Sequence, residues 1–503
     1  MLKNLATFAD AFATFANFTT LFNVAWATLV GIIIGALPGL TATMGVALLT
    51  TLTYKMVPEQ AILVLIAVYV GAIYGGSRSA ILLNIPGTPA NAATTLDGFP
   101  LARQGLAGEA MGLATSASVI GTLIGVVFLA AIAPLLAEFA LQFGSYEYFW
   151  LAIFGIVIAG QMTSFDDALK GWIAGFLGLL VAMVGQEGIH AEPRFSYGSS
   201  DLAGGIALIP ALVGAFGLAE ILAVMKNRAA ELATGVVDRV VPGLADMWRY
   251  KRTIGRSGII GTVVGIIPGV GEDIGAWISY AAARRASKER HLFGKGSREG
   301  LIAAETGNNA AIPGALIPAL TLAVPGSAPA AVLLAAMLIH GIRPGPLIMI
   351  EAPIFVFQVV WMVLLATFAM GAFGLALTRP LLKILQVPRE RLMPIVFVLC
   401  VIGPYAITQR LFDVYVMLFF GVVGFILREM KYPMAPLVLG IILGDILDKS
   451  LRRALVLSDG DLTPFFIRPI SAILWITTAI VLLFALPPVQ RAAARLLRRK
   501  PAP

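Results

Sequence analysis

Apolar runs of near-bilayer length recur along the chain, at 110–132, 171–184, 206–224, 354–377, 396–405, 415–427 and 470–486. A helix that crosses the hydrocarbon core needs roughly 20 mostly apolar residues. Several runs are shorter than this or are split by proline or glycine. The pattern therefore predicts an all-α polytopic membrane protein with about 10–12 membrane segments, some of them re-entrant or broken. Composition agrees: 58% of residues are apolar and 13% charged, against about 25% charged in soluble domains. The first twenty residues do not read as a cleavable signal, because Lys3 is a lone positive charge and Asp10 interrupts any apolar core. Insertion is expected to start with the uncleaved segment 21–37.

Glycine and proline fall in a repeated pattern. Gly31, Gly35, Pro38, Gly39 and Gly45 are matched by Gly261, Gly265, Pro268, Gly269 and Gly275, at one offset of 230 residues. A second pair follows in the same order. Asn84-Ile-Pro86-Gly87-Thr88-Pro89 has a counterpart in Ala323-Val-Pro325-Gly326-Ser327-Ala-Pro329, at an offset of 239, which also pairs Gly75 with Gly314. Two ordered motif pairs at nearly one spacing predict a duplication. The domains expected are a first repeat over 1–225, a basic linker over 226–256, a second repeat over 257–468, and a final membrane helix with a basic tail over 469–503.

The net charge of +8 matters through its placement. Basic residues concentrate in 226–256, in 284–298 and in the tail (Arg491, Arg495, Arg498, Arg499, Lys500). The positive-inside rule places all three in the cytoplasm. The loop between the two motifs is strongly basic in the second half. In the first half it is the short, neutral 54–59. Equivalent loops of such different charge are expected when the halves are inverted relative to each other. Arg256 and Arg284 flank a stretch with Pro268-Gly269 near its middle. If both flanks are cytoplasmic, that stretch is a helical hairpin with its tip at Pro268-Gly269. A broken full span is the alternative.

Proline removes a donor and clashes with the preceding turn, glycine permits unusual dihedrals, and together they end a helix. In lipid the freed backbone groups cost several kcal/mol each unless protein or a wet cavity satisfies them. After each break a half-helix starts, with its positive dipole end pointing inward. Thr88-Pro89 reads as an N-cap followed by proline at the first helical position, and Ser327 reads similarly; Thr41 and Thr43 follow Pro38-Gly39. Such facing half-helix starts suit a carboxylate, and the unwound carbonyls beside them, near Gly39 and Gly269, suit Na⁺. The plainer reading is a set of kinks, which are common in membrane helices; four breaks in duplicate order favour a site.

Polar residues beside the breaks refine this. Ionisable groups in a membrane usually face the bundle interior; here they are Arg78, Glu272, Asp273, Glu305 and Asp445. Glu272 and Asp273 also fit as plain helix-start acids. Ser77, Asn84, Asn308 and Asn309 add neutral hydrogen-bonding groups, and the asparagines also fit as ties between helices. The single cysteine, Cys400, is expected to be packed and inert. No His-Glu-x-x-His, Gly-x-Ser-x-Gly or phosphate-loop pattern occurs. Gly269-Val-Gly-Glu272-Asp273 loosely resembles an intramembrane aspartyl protease motif, interrupted by Glu272.

The stretches Tyr74-Gly-Gly-Ser-Arg-Ser-Ala-Ile-Leu-Leu-Asn84-Ile-Pro-Gly-Thr-Pro89, Leu96-Asp97-Gly98-Phe99-Pro100, Asn308-Asn309-Ala-Ala, Pro325-Gly326-Ser327, His340-Gly341 and Pro344-Gly345-Pro346 resemble the large membrane subunit of the tripartite tricarboxylate transporters. The resemblance covers nearly the whole chain. It implies a multi-pass protein of the bacterial cytoplasmic membrane, working with a small membrane subunit and a periplasmic solute-binding protein. It also implies gradient-driven uptake of citrate or other organic carboxylates, and an elevator-type movement of the domain that holds the Pro-Gly motifs. Arg78 stands where that family commonly has an apolar residue, and Glu272-Asp273 where it commonly has small ones. Thr306-Gly307 departs slightly.

The expectation is thus a permease for di- or tricarboxylates or related acids, coupled to Na⁺ or H⁺, with no enzyme activity, no nucleic-acid partner and no other cofactor. Its substrate site is expected from Thr41, Thr43, Ser77, Asn84, Pro86, Gly87, Thr88, Asn308, Asn309, Pro325, Gly326 and Ser327. Arg78, Glu272 and Asp273 are expected as further substrate or ion contacts, with Arg78 pairing with a substrate carboxylate, Glu272 or Asp273. An aspartyl-protease-like enzyme and a channel or exporter are the alternatives.

Overall fold

A computed structural model describes residues 2–37, 39–163, 168–226, 240, 244–377, 389–485 and 489. Pro38, most of the basic linker and the arginines of the tail lie outside the described residues. The described chain is helical apart from one two-residue antiparallel pair, β1 (Gly185–Gln186) with β2 (Pro193–Arg194). Seven described helices are long and apolar enough to cross a membrane, and four shorter apolar helices accompany them.

Two compact units emerge from the contacts, the first over 1–140 and 207–426, the second over 141–206 and 427–503. In the first unit the principal helices are α1 (Leu2–Phe15), α2 (Phe18–Ala36), α3 (Ala42–Thr53), α4 (Pro58–Leu83), α5 (Ala92–Arg103) and α6 (Ala107–Ala140). In the second unit α7 (Ser145–Thr163) and α8 (Ala168–Ala182) come next. The first unit resumes with α9 (Leu208–Lys226), α10 (Lys251–Ile266), α11 (Gly271–Ala286), α12 (Arg298–Leu322), α13 (Ala328–Ile339), α14 (Pro353–Ala376), α15 (Arg389–Thr408) and α16 (Leu411–Glu429). The second ends with α17 (Met434–Leu457) and α18 (Pro469–Ala485).

Helix α4 lies at the centre of its unit: 94% of its apolar window is buried, against 28% for 391–408. The outer helices α15 and α16 keep Ile395, Val398, Ile402, Tyr415 and Phe419 exposed, the pattern of lipid-facing helices.

The Pro268-Gly269 segment is a hairpin. Ser279 Oγ on α11 donates to the Ser257 carbonyl on α10 at 3.3 Å, and a Cβ on Gly275 would lie 3.6 Å from Gly261 Cα. Both pairings are symmetric about residue 268, as antiparallel limbs require. Across the first break, Gly45 of α3 lies against Ile34 of α2.

Close contacts recur at the two sequence offsets. A Cβ on Gly31 would meet the Val68 backbone, and one on Gly261 the Gly307 backbone. Gly35 abuts the Ala72 carbonyl, and Gly265 the Ala311 carbonyl. The amide of Gly87 donates to Gly76 O at 3.4 Å, and that of Gly326 to Ala315 O at 3.4 Å. Helix α4 ends on Asn84 (φ 55°, ψ 26°), whose N–H reaches Ser79 O, and α12 ends on Ala323 (φ 56°, ψ 26°), whose N–H reaches Pro318 O. Every member of the second set lies 230 or 239 positions after its mate. Asparagine tolerates this left-handed conformation better than alanine does.

The second unit packs α8 against α17 through glycine, with Gly178 at the Leu437 carbonyl and Gly440 at the Gly175 carbonyl. Its buried Glu147 accepts from Arg468 Nε at 2.8 Å, Ser471 Oγ at 3.0 Å and Gly144 N at 2.8 Å.

Candidate functional site

The tip of the α10–α11 hairpin meets both polar motifs. Gly269 (φ 73°) donates its N–H to Pro325 O at 3.4 Å. Gly271 (φ 54°) lies so close to Ser327 that a Cβ there would be 2.5 Å from the serine Cβ. One residue on, Glu272 accepts a hydrogen bond from Tyr69 Oη at 3.0 Å, and Tyr69 Oη is 2.8 Å from Ser327 Oγ. These three side chains come from α11, α4 and the start of α13, and all are buried. Ser327 also caps α13, accepting from Ala330 N at 3.4 Å. Asp273, the next residue of α11, follows on the same hairpin limb, and α11 packs against the short turn Pro89–Asn91 that follows Thr88.

From that turn a hydrogen-bonded chain runs inward. Thr88 Oγ1 donates to Asn91 Oδ1 at 2.5 Å, and Asn91 Nδ2 donates to Ser77 Oγ at 3.0 Å and Ile73 O at 3.2 Å. Ser77 donates to the carboxylate of Glu305 at 2.8 Å. Glu305 is fully buried on α12 and also accepts from Thr94 and Ser118 Oγ. Ser118 in turn accepts from Asn309 Nδ2 at 2.9 Å. Each hydroxyl is supplied by a helix that contacts α12, so the buried carboxylate is solvated by protein in place of water.

Four polar atoms of α12 are not absorbed. Asn308 Nδ2 and Oδ1, Asn309 Oδ1 and Thr306 Oγ1 are buried with no hydrogen-bond partner. An unmet buried donor or acceptor costs about 1–3 kcal/mol, so this turn of helix, where four such atoms point to more than one face, is where bound ligands would regain that energy.

The sequence-predicted residues divide clearly. Ser77, Thr88, Asn308, Asn309 and Ser327 are buried in or beside this network, with Gly87, Pro325 and Gly326 buried in the breaks. Thr88 has the extended backbone and following proline of an N-cap, but its side chain makes no capping bond and reaches Asn91 instead. Asn84 is exposed as the left-handed cap of α4, and Pro86 follows it half-buried. Thr41 caps α3, accepting from Met44 N at 3.2 Å, and Thr43 is buried in the first turn of that helix. Gly39 (φ 98°) lies against Glu220 of α9. Arg78 donates to Tyr74 Oη, to Gly374 O of α14 and to Met111 Sδ at 3.4 Å, and its charge acts on Glu305. Among the described residues no group of three or more His, Cys, Asp or Glu side chains could hold a metal ion.

Sequence reasoning overlooked Tyr69, Asn91, Thr94 and Ser118. Tyr69 was within reach of it, because Asn308 lies 239 positions later, at the offset that pairs the motifs. Asn91, Thr94 and Ser118 carry no such signal; folding alone brings Thr94 and Ser118 to Glu305 and Asn91 to Ser77.

A second cluster ties the first half to the loop after α11. Asp97 Oδ1 accepts the backbone N–H groups of Gly294, Gly296 and Ser297 at 2.8–2.9 Å, and Oδ2 accepts from Tyr280 Oη at 2.9 Å.

Residues 21–439 match the model of the tripartite tricarboxylate transporter TctA family. The chain is 34% identical over 473 residues to an uncharacterized 52.8 kDa protein in the TAR-I ttuC′ 3′ region of Agrobacterium vitis, covering 93% of this chain and 94% of that one. It is 33% identical over 231 residues to an uncharacterized protein in the TAR-II ttuC′ 3′ region of the same organism, covering 46% of this chain and 96% of that one. No solved structure matches. With seven membrane-competent helices and a family match over most of its length, the chain is a multi-pass membrane protein that belongs to the tripartite tricarboxylate transporter TctA family.

Proposed function

We propose that this chain is the permease of a binding-protein-dependent secondary transporter in the bacterial cytoplasmic membrane, importing di- and tricarboxylates or related organic acids down a Na⁺ or H⁺ gradient. Its partners would be a small membrane subunit and a periplasmic solute-binding protein. The observation that carries the reading is the turn of α12 with unpartnered Asn308, Asn309 and Thr306 atoms, set in the unit where the broken segments meet. The amide donor of Asn308 suits a carboxylate. The free oxygens of Thr306 and Asn309, three residues apart and so on one face of the helix, suit a coupling cation, with Asn308 on another face of the same turn.

The recurrence of contacts at two offsets supports a duplication, with repeats over 1–225 and 257–468; the unlike charge of the equivalent loops supports its inversion, and in such a transporter the hairpins would travel with the substrate. Thr88 and Ser327, at equivalent breaks, would orient the substrate together with Gly87, Gly326 and Thr43.

The test is uptake in liposomes holding the permease and small subunit, with the binding protein and substrate outside. Accumulation should require the ion gradient and the binding protein. Thr88→Val combined with Ser327→Ala should abolish it; if uptake and ion dependence survive, the site is wrongly placed. Uptake without the binding protein or the gradient would favour a channel.

A further inference from the structure

At the base of the α10–α11 hairpin, away from its tip, lies a cavity of about 540 Å³. It is lined by Leu96 of α5, by Trp277, Tyr280, Arg284 and Arg285 of α11, and by Arg290 of the short turn that follows. Its size falls within the roughly 300–1,000 Å³ of small-molecule pockets. Tyr280, Arg284 and Arg285 lie three, seven and eight positions after Trp277, so the four form one stripe of the helix. The stripe passes from apolar to basic over about 12 Å. Trp277 and its neighbour Ile278 are 36% and 37% exposed, and the three arginines are exposed beyond them.

The cavity wall is held from behind. Tyr280 donates to Asp97 Oδ2 at 2.9 Å and packs edge-on against Phe293. The nearby acids are already engaged: Asp97 Oδ1 accepts three backbone N–H groups, and Glu289 pairs with Arg249 at 2.8 Å. Arg290 donates to the carbonyls of Ser287 and Arg285. Among the described residues neither Arg284 nor Arg285 has a carboxylate partner. Arginines in the last turn of a helix complement its dipole, but that role requires neither a cavity nor an exposed tryptophan two turns away.

Position selects the ligand. The limbs are antiparallel, so Lys251 and Arg252 at the start of α10 lie at the same end of the hairpin as Arg284 and Arg285. The positive-inside rule puts that end on the cytoplasmic side. Each limb has 16 residues, about 24 Å of helix, so a tip inside the hydrocarbon core leaves the base at head-group level. We propose that this cavity binds an anionic phospholipid of the cytoplasmic leaflet, its phosphate on Arg284 and Arg285 and its acyl chains along Trp277 and Ile278. Arginine presents a planar fork of donors to phosphate oxygens, and basic pockets on the cytoplasmic side of membrane helices suit anionic head groups. A lipid there bridges α5 of the first half and α11 of the second, beside the Asp97 contacts. A soluble phosphate ester offers the same charge but nothing for Trp277.

The experiment is native mass spectrometry of the full chain in detergent, titrated with phosphatidylglycerol, phosphatidylcholine, glycerol phosphate and citrate. The unmodified protein should bind one phosphatidylglycerol at least about tenfold more tightly than phosphatidylcholine, and neither soluble anion should displace it at equal concentration. Arg284→Gln with Arg285→Gln should remove that preference, while Trp277→Ala should weaken both lipids alike. Lys251→Gln with Arg252→Gln takes the same charge from the same end of the hairpin, outside the cavity, and should leave the preference in place. Unfolding midpoints check that these exposed replacements keep the fold. An equal loss in the two double variants means diffuse attraction to a basic surface and overturns the proposal. Displacement of the lipid by glycerol phosphate or citrate assigns the cavity to a soluble anion and overturns it too, as does equal affinity for the two lipids. These last two readings need no variant.

Discussion

Tyr69 and Glu272 are joined by a 3.0 Å hydrogen bond although 203 residues separate them in the chain. The contact carries a helix of the first half to the hairpin tip of the second, and Ser327 completes it from a third element. Removing only the phenolic hydroxyl isolates its contribution. Tyr69→Phe keeps the ring and should cost about 1–3 kcal/mol, because two buried polar groups lose their shared partner. Thermal unfolding of the protein in detergent would measure this. An unchanged midpoint would mean that the hydroxyl contacts add nothing to stability.

Gly35 and Gly265 provide a matched pair. Each lies against a backbone carbonyl, of Ala72 and Ala311 respectively, so neither neighbour can move aside cheaply. Gly35→Ala and Gly265→Ala should each destabilise by about 1–3 kcal/mol or more. Gly255, with nothing within 4 Å of its Cβ position, is the control. Gly255→Ala in a helix interior should be stabilising by roughly 0.5–1 kcal/mol. Yields of folded protein and unfolding midpoints would rank the three.

Glu305 is a fully buried carboxylate held by hydroxyls from Ser77, Thr94 and Ser118. Glu305→Ala strands those donors and leaves the buried Arg78 without its nearby acid. A loss of about 1–3 kcal/mol follows, as for buried donors left without their acceptor. Glu305→Gln preserves the shape and should cost less. Equal losses for the two variants would mean that the three hydroxyls do not depend on Glu305 as their acceptor.

Asp97 holds the loop after α11 through three backbone amides. Asp97→Ala should cost roughly 1–3 kcal/mol and release the loop locally. Trypsin should then cut faster at Lys288, Arg290 and Lys295, while cleavage at distant sites stays as it was. Unchanged rates at all three would show that other contacts hold the loop.

The run pattern was enough to read helices and membrane character, because burying backbone in lipid leaves few alternatives to a helix. The Pro-Gly breaks were also legible, since proline and glycine act on the backbone they belong to. The recurrence of glycine and proline at two offsets was legible too, and the contacts at those offsets extend it to the paired left-handed caps at Asn84 and Ala323. The sequence alone left hairpin and broken span open for 257–283. The pairing of Ser257 with Ser279 decided it, a contact across the break that no local rule specifies. The partner of Arg78 was equally hidden. Its neighbours Gly374 and Met111 belong to helices brought alongside by packing. The sequence by itself determined where helices form and where they must stop, because those are local backbone properties. Only the tertiary structure decided which polar atoms are answered and which, like those of Asn308, are left over, because hydrogen-bond satisfaction depends on neighbours far away in the chain.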